Sequence, residues 1–343
     1  MSGNWKLEDF DFELNEELIA RYPAKNREDS RLLVVDRRDG TISARDKFSQ
    51  ILQYVQKGDL LVFNNTKVSK RRVFLLTSKG RIHECIFLEE DNGQWHVLLK
   101  NSAKLKQDEV LQDASGHFRF QFIRGREKTF LHPFVVLTEE IFDRIGTIPI
   151  PPYLQRSAEP QDEIRYQTIF ASVPGSVAAP TAGLHFSEDL KNKLLEREIG
   201  LLEITLQVGY GTFAPLQPDQ IENKKLHEET YYISPNSAEL LNRTKGKNRI
   251  ISIGSTTLRA LESSYDIKNG KFKSGNYSTQ IFLNPDDKVY SVDGLITNFH
   301  LPKSSLILLV AAFAGKELTI SAYKYAIQNK FRFYSYGDAM LIL

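Results

Sequence analysis

Cysteine is almost absent from the sequence, with Cys85 the single one among 343 residues. One cysteine cannot form an internal disulfide or a cysteine-based metal site, and such scarcity is typical of a reducing compartment. Long apolar runs are also missing, since the longest, at 306–314, has nine residues, well short of the ~20 that a membrane helix needs. The first ten residues carry charges and lack the apolar core of a signal peptide. We therefore expect a cytoplasmic protein with no metal site and no membrane partner.

An excess of charge is missing as well. The chain has 45 Lys and Arg against 43 Asp and Glu, a formal net charge of +2. Nucleic-acid-binding domains usually carry a basic excess, so the total charge alone gives no support to such a partner. An enzyme that must release its RNA needs only a local basic path, and a near-neutral total is compatible with one. The length, at roughly 150 residues per domain, predicts two domains.

The pattern of predicted elements changes along the chain. Between about residues 68 and 147, short strand-like runs alternate with glycine turns, of which Asn92-Gly93 is the strongest hairpin signal. This pattern predicts a small antiparallel β-barrel. On both sides, apolar strands alternate with helices, including helices at 187–200, 236–245, 258–264, 306–314 and 316–329. We predict an α/β fold, with a barrel-like main domain over 1–67 plus 148–343 and an inserted β-barrel domain over 68–147.

Two loops in the main domain place glycines where a ligand could approach the backbone. The first, 175–186, is rich in small residues and ends at His185 before a helix, whose free N–H groups could hold an anion. The alternative is a tight crossover in which His185 is a buried, hydrogen-bonded side chain. The second, Gly209-Tyr210-Gly211, follows a strand, where open α/β sheets bind ligands. Its alternative is a glycine bulge at the strand end.

Two further loops combine hydroxyl groups with charged or aromatic nitrogen groups. In 254–262, a glycine and three hydroxyl residues lead a strand into a helix, where a phosphate, ribose or carboxylate could bind. No Gly-Lys-Ser/Thr follows, so a P-loop is not indicated, and Arg259 could simply pair with Glu262 along the helix. The loop at 293–305 crowds an amide, an imidazole and an amine together: Asn298, His300 and Lys303. For this last loop we favour function over a merely solvated turn.

Two stretches could contact RNA. A basic run at the entrance of the predicted barrel could bind phosphates or form a solvated edge; it consists of Lys67, Lys70, Arg71 and Arg72. The aromatic run at 331–338 could stack bases or form a buried final strand. His227-Glu228-Glu229 lacks the second histidine of a zinc-protease helix and suggests no metal chemistry.

Several unusual motifs occur in an order that resembles one family over about residues 10–343. They are Arg21-Tyr22-Pro23-Ala24, 58–64, Pro151-Pro152-Tyr153, 165–168, 175–186, 295–305 and 336–340. Together they resemble the S-adenosylmethionine:tRNA ribosyltransferase-isomerases of queuosine biosynthesis. The resemblance implies an α/β domain with an inserted β-barrel. It also implies a monomer with two partners, S-adenosylmethionine and tRNA with a GUN anticodon.

The resemblance further implies an unusual reaction. The ribosyl part of S-adenosylmethionine is transferred to the aminomethyl group of a 7-deazaguanine base at the tRNA wobble position and isomerised, giving epoxyqueuosine. Adenine and methionine leave, so S-adenosylmethionine is a co-substrate and no cofactor is expected. Removal of a proton next to the sulfonium calls for a positioned base, and the leaving adenine calls for a proton donor.

Site residues follow from the resemblance as hypotheses. The candidates for proton transfer are His185, His300 and Glu229, with Asp338 weaker. Substrate binding is expected from Ser176, Thr181, Gly209, Gly211, Thr212, Ser255, Thr256, Thr257, Arg259, Asn298, Lys303 and Asp338. The tRNA contact is expected from the basic run Lys67, Lys70, Arg71 and Arg72.

The sequence departs from the family pattern at several positions, including Asn65, Lys67, Gln207, Lys224 and Gln280. Glutamine replaces a histidine at 207 and cannot act as a base, and Lys67 lacks the bidentate contact of an arginine. The alternative hypothesis is therefore a non-catalytic tRNA- or nucleoside-binding paralogue that keeps the fold. A third, an S-adenosylmethionine methyltransferase, would have a glycine-rich first loop that this sequence does not show.

Overall fold

The structure is a computed structural model that describes residues 5–126, 128–209, 211 and 216–343. Its strands are β1 Leu32–Val35, β2 Ile42–Arg45, β3 Leu60–Asn64, β4 Thr66–Val68, β5 Arg72–Thr77, β6 Ile82–Asp91, β7 Gln94–Leu99, β8 Val110–Asp113, β9 Arg119–Arg124, β10 Thr129–Pro133, β11 Gly146–Thr147, β12 Val173–Ser176, β13 Gly200–Leu206, β14 Lys225–Ile233, β15 Ile250–Ile253, β16 Tyr265–Asp266, β17 Lys271–Phe272, β18 Gly275–Ile281, β19 Gly294–Asn298 and β20 Ala339–Ile342. Its α-helices are α1 Glu139–Ile145, α2 Asp162–Arg165, α3 Glu188–Glu196, α4 Pro218–Glu222, α5 Pro235–Thr244, α6 Ser255–Ser264, α7 Ser305–Ala314 and α8 Lys316–Gln328. Short 3₁₀ helices span Leu7–Phe10, Glu16–Leu18, Arg27–Asp29, Phe48–Gln53, Ser102–Lys104, Pro152–Leu154 and Thr181–His185.

A mixed sheet of nine strands forms the main part of the molecule, in the order β18-β14-β13-β3-β15-β19-β20-β1-β2. The inner pairs β13–β3, β3–β15 and β15–β19 are parallel, as is β1–β20. The remaining pairs are antiparallel. The ends of β3, β15 and β19 therefore lie at the same edge, which is where open α/β sheets bind ligands.

Both faces of this sheet are covered. Leu60 and Val62 pack into one hydrophobic core, with residues of α5 to α8, while Leu61 and Phe63 pack into a second core with residues of α3. Successive side chains of a strand point to opposite faces. Residues 60–63 of β3 are therefore all apolar, as expected for a strand buried on both sides.

The middle of the chain forms a separate antiparallel barrel. Its six strands follow the order β5-β6-β7-β10-β9-β8, and β8 pairs back with β5 to close the ring. Aromatic residues fill its interior, among them Phe87, Trp95, Phe120 and Phe142. The predicted fold class, an α/β part with a small inserted barrel, is confirmed. The domain limits at residues 68 and 147 stay predictions.

Three segments differ in secondary structure from the prediction. Gly200 does not end a helix, because α3 already ends at Glu196 and Gly200 begins β13. The predicted functional loop at 293–305 contains β19 in its first half, where the strand is completely buried. The aromatic run at 331–336 is mostly buried but irregular, and the strand that follows it is β20.

Within the described ranges, no single helix is long and apolar enough to cross a membrane. The consecutive helices α7 and α8 reach that length and composition only together, and they bend by 117° at the break between them.

A buried carboxylate connects the segment after the barrel to the C-terminal segment. Asp162 accepts hydrogen bonds from both terminal nitrogens of Arg156, each at 2.7 Å, from the Tyr336 hydroxyl at 2.7 Å and from the Glu159 N–H at 2.8 Å. Burial alone would raise the pKa of Asp162, but these bonds outweigh it and hold the pKa below its usual value. The carboxylate is therefore ionised at neutral pH.

Asp162→Asn should destabilise the protein by about 3–5 kcal/mol, because it leaves the buried guanidinium of Arg156 without its counter-charge. Urea unfolding at pH 7 measures the effect. The matched control is Asp189→Asn, which removes an exposed partner of Lys193 on α3 and should leave the urea midpoint unchanged. Equal midpoints for the two variants would contradict the prediction.

Candidate active site

A pocket opens at the carboxyl edge of the parallel strands, and we call it the first pocket. Its walls include residues 254–256 after β15, residues 297–301 at the end of β19 and just after it, residues 304–306 at the start of α7, and Thr181, Tyr153, Tyr334 and Ser335. It encloses about 720 Å³, counting the space at its open mouth. The neighbouring parallel strands β15 and β19 bring together here the two predicted loops at 254–262 and 293–305.

The start of α6 lines the first pocket with two hydroxyl residues, Ser255 and Thr256. Gly254 has a positive φ of +96°, which favours glycine and sets the sharp entry into the helix. Thr257 Oγ1 donates to the Ile253 carbonyl at 2.8 Å, so its hydroxyl is used inside the protein. Thr256 Oγ1 is buried and has no hydrogen-bond partner among the described residues. Of these two threonines, Thr256 is the one available to a ligand.

Asn298 supplies a second polar atom without a partner. Its Nδ2 donates to the Tyr334 carbonyl and to His185 Nε2, both at 3.1 Å. Its Oδ1 is buried without a partner in the described part of the chain. Buried polar atoms almost always have partners, so Asn298 Oδ1 and Thr256 Oγ1 fit a polar ligand that both donates and accepts hydrogen bonds.

His300 also faces the first pocket, with 8% of its surface exposed. Its Nε2 lies 2.7 Å from Thr297 Oγ1. Burial lowers the pKa of His300 to about 3, because the surroundings cannot solvate an imidazolium. The ring is therefore neutral at pH 7. It can hydrogen-bond a substrate, but it is a weak base and holds no proton to donate as imidazolium.

His185 lies beneath the first pocket and lines neither it nor the second pocket described below. Because Asn298 donates to Nε2, the proton is on Nδ1, which donates to Ser30 Oγ at 2.7 Å. Burial, with smaller contributions from the cations Arg332 and Arg27, lowers the pKa of His185 to about 3. Both ring nitrogens are occupied by the protein. The geometry corresponds to the alternative of a buried, hydrogen-bonded histidine, which argues against a catalytic role.

A second pocket adjoins the first and shares Ser305 and Leu306 with it. Its lining includes Gly209, Gly211, Gln220, His227, Glu229, Arg259, Ser305 and Leu306. Arg259 Nη1 contacts Glu229 Oε2 at 2.5 Å, and both side chains are buried. The expected pairing of Arg259 with Glu262 is wrong, because Glu262 accepts the N–H groups of Tyr290 and Ser291 instead.

The guanidinium of Arg259 keeps two nitrogens for another partner. Nε and Nη2 are buried and make no hydrogen bond within the ranges that the structure describes. An arginine with two parallel donors is suited to bind a carboxylate in a bidentate manner. The second pocket therefore fits an anionic group, and the predicted residues Gly209, Gly211, Glu229 and Arg259 do meet in it.

Four predicted binding residues lie outside both pockets and have partners in the protein. Ser176 is fully buried and bonded to Thr66, Gln207 and Val208. Lys303 pairs with Asp11 at 2.6 Å. The other two are Thr257, described above, and Asp338, which accepts the N–H groups of Arg31 and Arg332. These contacts engage all four side chains within the protein, and the binding roles expected for them stay predictions. Thr212 lies outside the described residues.

The basic run does not form one phosphate-binding surface. Three of its members pair with carboxylates of the protein: Lys70 with Glu163, Arg71 with Glu139, and Arg72 with Glu84. Arg71 is buried, with its guanidinium 4.7 Å from the Trp95 ring centre and 4.6 Å from that of Phe142. The tRNA role expected for Arg71 stays a prediction that its burial does not favour. Lys67 is exposed on β4 and remains a candidate.

None of the five named departures from the family pattern lines either pocket. One of them, Gln280, lines an adjoining groove together with Gln220 and His227 of the second pocket. Gln207 accepts hydrogen bonds from Thr66 and Ser176 and lines an outer groove. Asn65 accepts from Thr205 and donates to Glu203. Among the residues that the structure describes, no group of three or more His, Cys, Asp or Glu side chains could hold a metal ion.

Several pocket residues were not predicted from the sequence. Tyr153 and Ser335, which hydrogen-bond each other, line the first pocket together with Tyr334. The Pro-Pro-Tyr motif was a signal for Tyr153. For the two serines at the start of α7, Ser304 and Ser305, the signal was their position between a proline-containing loop and an apolar helix.

The buried histidines predict a pH-dependent stability. In unfolded protein an imidazole has a pKa of about 6.5, whereas His300 folds with a pKa of about 3. Unfolding between these values takes up a proton, so stability falls as the pH falls from 6 to 4. His300→Gln should reduce that slope by about 1.4 kcal/mol per pH unit. Urea unfolding at pH 6, 5 and 4 measures it, and an unchanged slope would contradict the low pKa.

Comparisons with known proteins agree with this arrangement. The family model described as "Queuosine biosynthesis protein" matches residues 7–342. The S-adenosylmethionine:tRNA ribosyltransferase-isomerase of Halothermothrix orenii is 42% identical over 346 residues, covering 98% of this chain and 100% of the relative. The enzyme of the same name from Treponema denticola is 38% identical over 353 residues, covering 98% and 99%.

Among solved structures, the S-adenosylmethionine tRNA ribosyltransferase of Thermotoga maritima matches with a TM-score of 0.55 and 31% identity. The match covers 98% of this chain and 100% of that one. Sequence relatives and a solved structure thus agree over nearly the whole length. The chain belongs to the queuosine biosynthesis protein family.

Proposed function

We propose that the protein is an S-adenosylmethionine:tRNA ribosyltransferase-isomerase. It transfers and isomerises the ribosyl moiety of S-adenosylmethionine onto the 7-aminomethyl-7-deazaguanine base at the tRNA wobble position. The products are epoxyqueuosine-tRNA, adenine and methionine. The proposal includes tRNAs with GUN anticodons, a cytoplasmic monomer and no resident cofactor. Relatives named for this activity at 38–42% identity over 98% of the chain support it.

The observation that carries the proposal is the pair of joined pockets with complementary polar groups. S-adenosylmethionine has a zwitterionic amino-acid end and a nucleoside end, joined at a sulfonium. The unpartnered Nε and Nη2 of Arg259 suit the carboxylate in the second pocket, and the adjacent carboxylate of Glu229 suits the ammonium group. Thr256 Oγ1 and Asn298 Oδ1 suit the ribose hydroxyls or the adenine amino group in the first pocket.

In this placement the sulfonium lies near Ser305 and Leu306, where the two pockets meet. His300 contacts the nucleoside end as a neutral imidazole. Glu229 holds Arg259 in place through their ion pair. A buried ion pair beside the reacting centre orients the substrate without reorganising, which is how binding energy is used for catalysis.

The non-catalytic paralogue remains the second candidate, because Gln207 and Lys67 depart from the family pattern. Gln207, however, lines an outer groove and bonds to Thr66 and Ser176. A glutamine in place of the family's histidine at 207 therefore leaves Thr256 Oγ1 and Asn298 Oδ1 of the first pocket unchanged. It also leaves the Arg259–Glu229 ion pair of the second pocket unchanged. This location favours the enzyme over the paralogue.

Adenine release tests the activity directly. The protein is incubated with S-adenosylmethionine and tRNA carrying 7-aminomethyl-7-deazaguanine, and adenine is measured by chromatography. We expect release that depends on this tRNA, with unmodified tRNA as the control. Binding of both substrates without adenine release would support the paralogue. Formation of S-adenosylhomocysteine would support a methyltransferase.

Two adjacent threonines provide a matched test of the first pocket. Thr256→Val removes a hydroxyl that has no protein partner, so it should raise the KM for S-adenosylmethionine roughly 5- to 30-fold with little change in stability. Thr257→Val removes the bond to the Ile253 carbonyl, so it should cost about 1 kcal/mol of stability and leave that KM unchanged. Steady-state kinetics and thermal unfolding measure both effects. Similar KM values for the two variants would rule out this placement of the substrate.

A further inference from the structure

His227 lies on β14 and faces the second pocket, two residues before Glu229. Between Lys225 and Glu229 the pairing of β14 with β18 shifts register: Lys225 lies opposite Ile281, and Glu229 lies opposite Thr279. Three residues of β14, 226–228, therefore lie opposite the single residue Gln280 of β18, and His227 is the middle one of this bulge. Such bulges re-aim side chains and are common beside active sites.

The imidazole of His227 is held against a glycine of the opposite wall. A Cβ at Gly211 would lie 2.3 Å from His227 Cδ2, closer than any two such atoms can approach. A glycine at 211 is therefore required for the ring to sit where it does. Gly211, the second glycine of the Gly-Tyr-Gly motif, thus leaves room for the His227 ring.

The other histidines of the region are poorly suited to proton transfer. His185 has both ring nitrogens bonded, and His300 is enclosed and stays neutral. His227, in contrast, is exposed, so an imidazolium formed there is solvated and can lose its proton to water. It also shares the lining of the second pocket with Glu229 and Arg259, the groups proposed to bind the amino-acid end of the substrate.

We propose that His227 is a catalytic base of the reaction, acting on the substrate at the second pocket. This inference rests on the proposed function. The neutral ring takes a proton from the carbon next to the sulfonium, and the electron pair of the broken C–H bond stays on that carbon. The proton then passes from the exposed imidazolium to water.

His227→Ala tests the assignment in the full-length protein. We expect kcat for adenine release to fall about 10²- to 10⁴-fold, with little change in the KM for S-adenosylmethionine. Added free imidazole should restore part of kcat, because the side chain opens to solvent and leaves a ring-sized space. His132→Ala, on an exposed histidine of the barrel, is the control and should keep the parent kcat.

The outcomes separate this inference from the proposed function. A parent protein that releases no adenine overturns the proposed function. An active parent with an unchanged kcat in His227→Ala, or a loss that imidazole does not rescue, overturns the role of His227. Should His227→Ala unfold, Gly211→Ala displaces the ring while keeping it: a lowered kcat supports the role, and an unchanged kcat overturns it.

Discussion

The amide of Asn298 connects the first pocket to the core beneath it. Its Nδ2 donates to both the Tyr334 carbonyl and His185 Nε2, while its Oδ1 is buried without a partner among the described residues. This geometry fixes the orientation of the amide, because only the NH₂ group can donate to a carbonyl. His185 is fixed in turn as the Nδ1–H tautomer and bonds Ser30. A histidine that resembles a catalytic group in the sequence thus acts as the support of a binding residue.

The second pocket depends on a different constraint, the cost of burying charge. An ion pair removed from water is stable only when its geometry is good and its remaining hydrogen bonds are satisfied. Arg259 and Glu229 meet the first condition at 2.5 Å. Two guanidinium nitrogens are left for a ligand. Such a site binds an anion with little reorganisation, because the ion pair with Glu229 already holds the Arg259 guanidinium in place.

The sequence was sufficient for the elements whose pattern is local. The run at residues 60–63 is apolar because both faces of β3 are buried, and the turns of the barrel carry their own glycine signals. Strand β8, by contrast, closes the barrel with alternating exposed and buried residues and is only four residues long. Strands β14 and β18 are largely exposed on one face, so their patterns did not indicate the sheet to which they belong.

Site residues were predictable as segments but not as individual side chains. The sequence could not distinguish Thr256 from Thr257, because only the direction of each hydroxyl decides which one faces the pocket. It could not pair Arg259 with Glu229 either, since that contact joins α6 to a strand that was not predicted. The ion pairs of the basic run could not be predicted either, because its carboxylate partners lie on other elements, as with Arg71 and Glu139.

The position of β20 has a consequence for synthesis. This strand lies between β19 and β1, so β1 finds its parallel partner about 300 residues later in the chain. At ribosomal rates of about 5–20 residues per second, the delay is on the order of 15–60 s. Throughout that interval the edge of the apolar strand β1 that later pairs with β20 is open. In the finished protein this edge lies in the interior of the sheet. On the polysome it is exposed, so the nascent chain must avoid pairing it with strands of neighbouring chains.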